Sequence, residues 1–163
     1  MIAEYKNMIE IVNKNISKFN EFFIPEKQVP TIDLSRINDN EYFTELNVPW
    51  LELVFPNAPK KGVYFIFGYD PEDRASKVMY IGKASFSSSI GGRLYAHLLK
   101  DKDNPNFTMN GINGRAYNLE YVFGLDLEFD DMGMEIFASA LEEFLILNVK
   151  NEILLLNGTG NYD

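Results

Sequence analysis

Apolar side chains at Ile2, Tyr5, Ile9, Val12, Ile16, Phe19 and Phe23 recur every three or four residues. This spacing predicts an amphipathic helix over 2–23, and Pro25 stops it. Residues 26–59 keep no period and carry Pro30, Pro49, Pro56 and Pro59. They read as loops with a short strand or helical turn, with "WLELVF" packed on the body. "GVYFIFGY" (62–69) is a short aromatic apolar run, hence a buried strand. "DPEDRAS" is a turn-rich link, and "KVMYIG" completes a hairpin.

"SSSIGGRLYAHLLK" returns to helical spacing at Ile90, Leu94 and Leu98, with Ser88 or Ser89 as its cap. "NPNFTMNGINGR" reads as a loop. "AYNLEYVFGLDLEF" (116–129) alternates and predicts a third strand. "DDMGMEIFASALEEFLILNVKNEILLLN" predicts a long helix, with Asp130 or Asp131 near its positive end and a break near 148–151. The expected fold is therefore α+β. It has a small three-stranded, mainly antiparallel sheet flanked by helices (β-β-α-β-α), preceded by a helical extension over 1–59. The expected domain is 60–163.

Composition narrows the chemistry. The 163 residues hold no cysteine and one histidine, which excludes disulfides, thiolate catalysis and multi-histidine zinc sites. A metal would need oxygen ligands, favouring magnesium or manganese. No apolar run approaches the roughly 20 residues needed to span a bilayer, and the N-terminus lacks a signal-peptide core. The expected location is the cytoplasm.

The net charge of −9 opposes binding to a polyanion, but the charge is unevenly spread. Residues 74–102 hold six bases (Arg74, Lys77, Lys83, Arg93, Lys100, Lys102) and one acid (Asp101), whereas 120–143 hold eight acids and no base.

Several polar groups stand out against the apolar pattern. Tyr64 and Tyr80 lie in the two hairpin strands; each alone reads as a core tyrosine, and together as two phenols facing one pocket. Arg93 and His97 are four apart and share a helix face, either as solvated surface or as a phosphate clamp beside a proton carrier. Gly91 and Gly92 read as a loose turn or as room for a phosphate near a helix N-terminus, without a P-loop ending. Glu142 has Ala138, Leu145, Ile146 and Val149 as helical neighbours, so its carboxylate is costly unless paired. Glu143 is the competing surface choice. Asn157 reads as a helix end or turn.

In combination these stretches resemble the GIY-YIG nuclease superfamily. "GVY" at 62–64 and "YIG" at 80–82 are similar to its two name motifs, "GRLYAH" at 92–97 to its Arg-bearing helix, "LEEFLI" at 141–146 to its glutamate segment, and "LLN" at 155–157 to its terminal Asn motif. "YIGKAS" with the later "GRLYAHL" is most similar to the restriction-endonuclease branch.

The resemblance implies a metal-dependent DNA endonuclease. Glu142 would bind the Mg2+ or Mn2+, Arg93 would clamp the phosphate, and Tyr64 would handle the water beside Tyr80. His97 and Lys83 would manage the proton, and Asn157 would support the site. Gly82, Lys83 and Gly92 would contact substrate. Double-strand cutting would call for a homodimer. The chain departs from the pattern in its long Tyr64-to-Tyr80 connection and its acidity, which predicts modest, salt-sensitive DNA binding. The alternatives are a catalytically silent binding module of the same fold and a phosphate-binding enzyme built on the Ser-Gly-Gly turn.

Overall fold

The computed structural model describes residues 1–46, 55, 57–98, 107–128 and 136–158. A 3-10 turn at Ile2–Tyr5 leads into helix α1 (Lys6–Asn20). Its apolar stripe is buried as the spacing predicts, with Tyr5, Ile9, Val12 and Ile16 fully enclosed. The chain then doubles back along α1. The Asn20 and Asn13 side chains each exchange two hydrogen bonds with the returning backbone, at Val29 and at Ile32. Two polar helix residues thus satisfy backbone groups that no strand partner reaches.

Strand β1 (Thr44–Glu45) precedes the hairpin of β2 (Gly62–Tyr69) and β3 (Lys77–Ala84). Helix α2 (Ile90–Leu98) follows, then β4 (Thr108–Asn110), β5 (Ala116–Asp126), α3 (Ile136–Val149) and β6 (Leu154–Leu155).

The expected three-stranded antiparallel sheet is corrected here. Among the described residues one mixed sheet has six strands, ordered β1-β5-β2-β3-β6, with β4 also paired to β5. β6 runs parallel to β3, through Val78↔Leu154 and Met79↔Leu155. The three additional strands have two or three residues each, too few to display a period of two. One of them, β4, falls in the segment expected to be a loop. Another, β6, falls in the segment expected to continue the last helix. That helix instead ends at Val149, where the break is expected. Asp130 and Asp131, one of them expected near its positive end, lie outside the described residues, as do residues 50–54 of "WLELVF"; Phe55 is buried.

The sheet separates two apolar layers. On one face α1 and α3 pack over Val63, Phe65, Phe67, Met79 and Ile81. On the other, Ile90, Leu94 and Leu98 of α2 pack over Tyr64, Ile66 and Val78. β5 changes parity midway: Phe67 faces Tyr121 but Gly68 faces Leu119, which leaves Glu120 as the extra residue of a bulge. The bulge keeps Leu119 and Tyr117 on the α2 face although Tyr121 and Phe123 face α1 and α3. Among the described residues no helix is long and apolar enough to cross a membrane.

Candidate functional site

The two hairpin tyrosines do share a face. Tyr64 pairs with Gly82 and Tyr80 with Ile66, so the phenols are diagonal neighbours, with ring centroids 6.2 Å apart. Gly82 is what allows this. A Cβ at residue 82 would stand 2.2 Å from Tyr64 Cζ and 2.3 Å from its Oη. The phenol therefore lies flat across the neighbouring strand, in space that any side chain would fill.

Helix α2 supplies the second wall. His97 Nε2 is 2.9 Å from Tyr64 Oη, and the imidazole centroid lies 4.9 Å from that of Tyr80. Arg93, one turn earlier, reaches the same phenol. Burial pushes the Tyr64 hydroxyl well above the usual phenol range, and the neighbouring Tyr80 adds to this. The charge and hydrogen bond of Arg93 pull it back, while Glu142 pushes it further up. Tyr64 is therefore a neutral phenol at physiological pH, able to donate and accept at once.

Glu142 approaches from the opposite layer. It is 4% exposed, within the apolar surface of α3, while Glu143 beside it is open to solvent. Its Oε2 lies 3.6 Å from Lys83 Nζ. Lys83 shares strand parity with Met79 and Ile81, so it belongs to the α3 side of the sheet. Lys83, expected to manage the proton together with His97, is thus on the opposite face of the sheet from Tyr80, Arg93 and His97. Sequence alone places Lys83 with the others because they are close along the chain.

Asn157 acts through the backbone. It is 4% exposed, accepts from Ile81 N at 2.9 Å and donates to Ile81 O at 2.6 Å. The side chain so continues the parallel β3–β6 ladder past its last backbone pair. It fixes β3 one residue before Gly82. In place of the expected helix end or turn, Asn157 is a strand-extending amide.

The Ser-Gly-Gly turn is already engaged within the protein. Ile90 N donates to Lys60 O and Gly91 N to Ala58 O, both at 2.8 Å. Gly92 N donates to Ser89 Oγ at 3.1 Å, making Ser89 the cap. Arg93 N donates to Ser89 O at 2.9 Å. The first four N–H groups of α2, the donors a phosphate would need, all have protein acceptors. Gly91 admits the Ala58 backbone, to which a Cβ would come within 3.0 Å.

The donor set bears on a metal. Among the described residues no cluster of three or more His, Asp or Glu side chains could hold one. A single buried carboxylate fits magnesium, which commonly binds through one or two carboxylates and takes its remaining oxygens from water and substrate phosphate. It does not fit zinc or calcium, which need several protein ligands. No family model matches the chain, and neither a curated protein nor a solved structure matches it.

Proposed function

We propose that the protein is a metal-dependent DNA endonuclease of GIY-YIG type. The observation that carries this reading is the Tyr64–His97 contact of 2.9 Å, with Arg93 hydrogen-bonded to the same phenol. It joins a neutral phenol from β2 with an imidazole and a guanidinium from one face of α2.

In this reading Tyr64 Oη accepts a hydrogen bond from the attacking water and donates its own proton toward His97 Nε2. The water proton passes to Tyr64 as the phenolic proton passes to His97, so no free phenolate is needed. This suits a hydroxyl whose pKa is raised. Arg93 neutralises charge that builds on the phosphate oxygens. Glu142 would hold the metal, which supplies Lewis-acid stabilisation of the phosphate and leaving oxygen. Asn157 and Gly82 keep β3 and the Tyr64 ring in position.

A second reading is a silent DNA-binding module. The Lys83–Glu142 ion pair favours it, because the carboxylate already has a cationic partner in the protein. Plasmid cleavage in magnesium distinguishes the two. The endonuclease reading expects nicking or linearisation that falls roughly 100- to 1,000-fold or more in Arg93→Ala and is lost in Glu142→Ala, with circular dichroism unchanged. Binding without turnover across metals supports the module instead.

A further inference from the structure

The turn that joins the two walls carries an anomaly. Ser85 to Ser88 close a β-turn through Ser88 N to Ser85 O at 3.1 Å. The Ser88 hydroxyl closes it a second time, donating to Ser85 O at 2.9 Å and accepting from Ser85 N at 3.1 Å. The first central residue is Phe86, with φ +55°. Turns with positive φ at that position are dominated by Gly, Asn and Asp, and a bulky residue there is an outlier. Packing does not account for the choice, because Phe86 is 70% exposed. The turn holds an aromatic ring out in solvent at a conformational cost, between the strand of Lys83 and the helix of Arg93 and His97. Outliers of this kind gather where a side chain meets a ligand.

We propose that Phe86 is a nucleobase-stacking residue, which lays its ring against a base beside the phosphate held by Arg93. The proposal rests on the DNA-cleaving reading of the site and adds to it a contact with the bases themselves. Arg93, on the helix that follows the turn, supplies the positive charge for a phosphate on this face, while Lys83 before the turn is paired with Glu142 on the other. An aromatic face suits any base that leaves the duplex stack or stands at an opened step, so the contact positions the strand without reading its sequence. The double closure of the turn fixes the backbone that carries the ring before binding, which lowers the ordering cost on association.

The test measures binding of short fluorescent DNA duplexes to Glu142→Gln protein in magnesium, a background chosen to keep the DNA whole. Phe86→Ala and Phe86→Gly are expected to weaken binding roughly tenfold, while Phe86→Trp binds as the parent does. Phe86→Gly is also expected to melt no lower than the parent, since glycine adopts this φ freely. That separates a lost contact from a damaged turn. An abasic nucleotide moved along the duplex should weaken the Phe86 protein at one position and leave Phe86→Ala unaffected there.

Equal binding by Phe86→Ala overturns the proposal while the DNA reading stands, as does a loss that no abasic position abolishes. Failure of the Phe86 protein to bind any duplex overturns both.

Discussion

Two buried tyrosines, one at each end of the β2–β3 hairpin, have opposite surroundings. Near the tip, Tyr5 donates to Glu120 Oε2 at 2.8 Å, and Glu120 also accepts from Arg74 at 2.6 Å. Glu4 pairs with Lys77 at 2.6 Å and with Arg74 at 3.8 Å. The N-terminal ammonium adds a third cation, 2.7 Å from Glu4, and the phenol ends in a fixed carboxylate. Lys77 and the charged N-terminus hold the Glu4 carboxyl down to about 2.

At the other end Tyr64 meets an imidazole, a second phenol and a guanidinium, with Glu142 and Lys83 across the strand. Counting His97 as neutral, Arg93 and Lys83 exceed Glu142 by one positive charge. The first cluster is a closed lock between the N-terminal helix and the sheet. The second links its phenol to an imidazole and a guanidinium instead of a carboxylate, groups that a phosphodiester would complement.

The sharpest way to break this contrast is to remove each hydroxyl. Tyr64→Phe should lower the cleavage rate roughly 100- to 10,000-fold, the range of general acid–base contributions. Tyr5→Phe should leave it unchanged in the same plasmid assay. Equal effects would mean that the two tyrosines do the same structural work.

Stability should invert part of that pattern. Glu120→Ala strands the Tyr5 hydroxyl and is expected to cost about 1–3 kcal/mol in urea unfolding, with cutting intact. Gly82→Ala forces the Tyr64 ring aside and is expected to cost a similar ~1–3 kcal/mol, with cutting lost. A Gly82→Ala protein that cuts normally would show that the ring position is irrelevant to the chemistry.

The smallest effect concerns alkaline pH, where the two clusters should agree. Burial raises the pKa of both Tyr5 and Tyr64, with Glu120 adding to it at Tyr5 and Tyr80 at Tyr64. The unfolded chain therefore loses these protons first. Their contribution is fully present below the unfolded value near pH ~10 and is lost as pH rises toward the folded values, with a slope of up to about 1.4 kcal/mol per pH unit for each group. Tyr5→Phe and Tyr64→Phe should each flatten the fall of urea stability above that pH. An unchanged slope in both variants would mean that neither phenol stays protonated in the fold.

Much of this protein follows from its amino-acid sequence because the signal is local. The three- and four-residue spacing from Ile2 to Phe19 determines α1, and the aromatic runs around Tyr64 and Tyr80 determine the hairpin. Ile90, Leu94 and Leu98 determine which side of α2 is buried. The apolar neighbours of Glu142 correctly favour it over Glu143 as the buried acid.

Tertiary structure alone decides the rest. β4 and β6 are too short to have a period, and they exist because β5 and β3 offer open edges. Asn157 lies 76 residues from its partner Ile81, so its strand-extending role has no local trace. The bulge at Glu120 reverses the alternation that a strand would otherwise keep. Lys83 and Tyr80, three residues apart, lie on opposite sides of the sheet because strand side chains alternate. Spacing along the chain determines which faces are apolar, whereas hydrogen-bond partners and contacts across a strand depend on distant segments reaching the same edge.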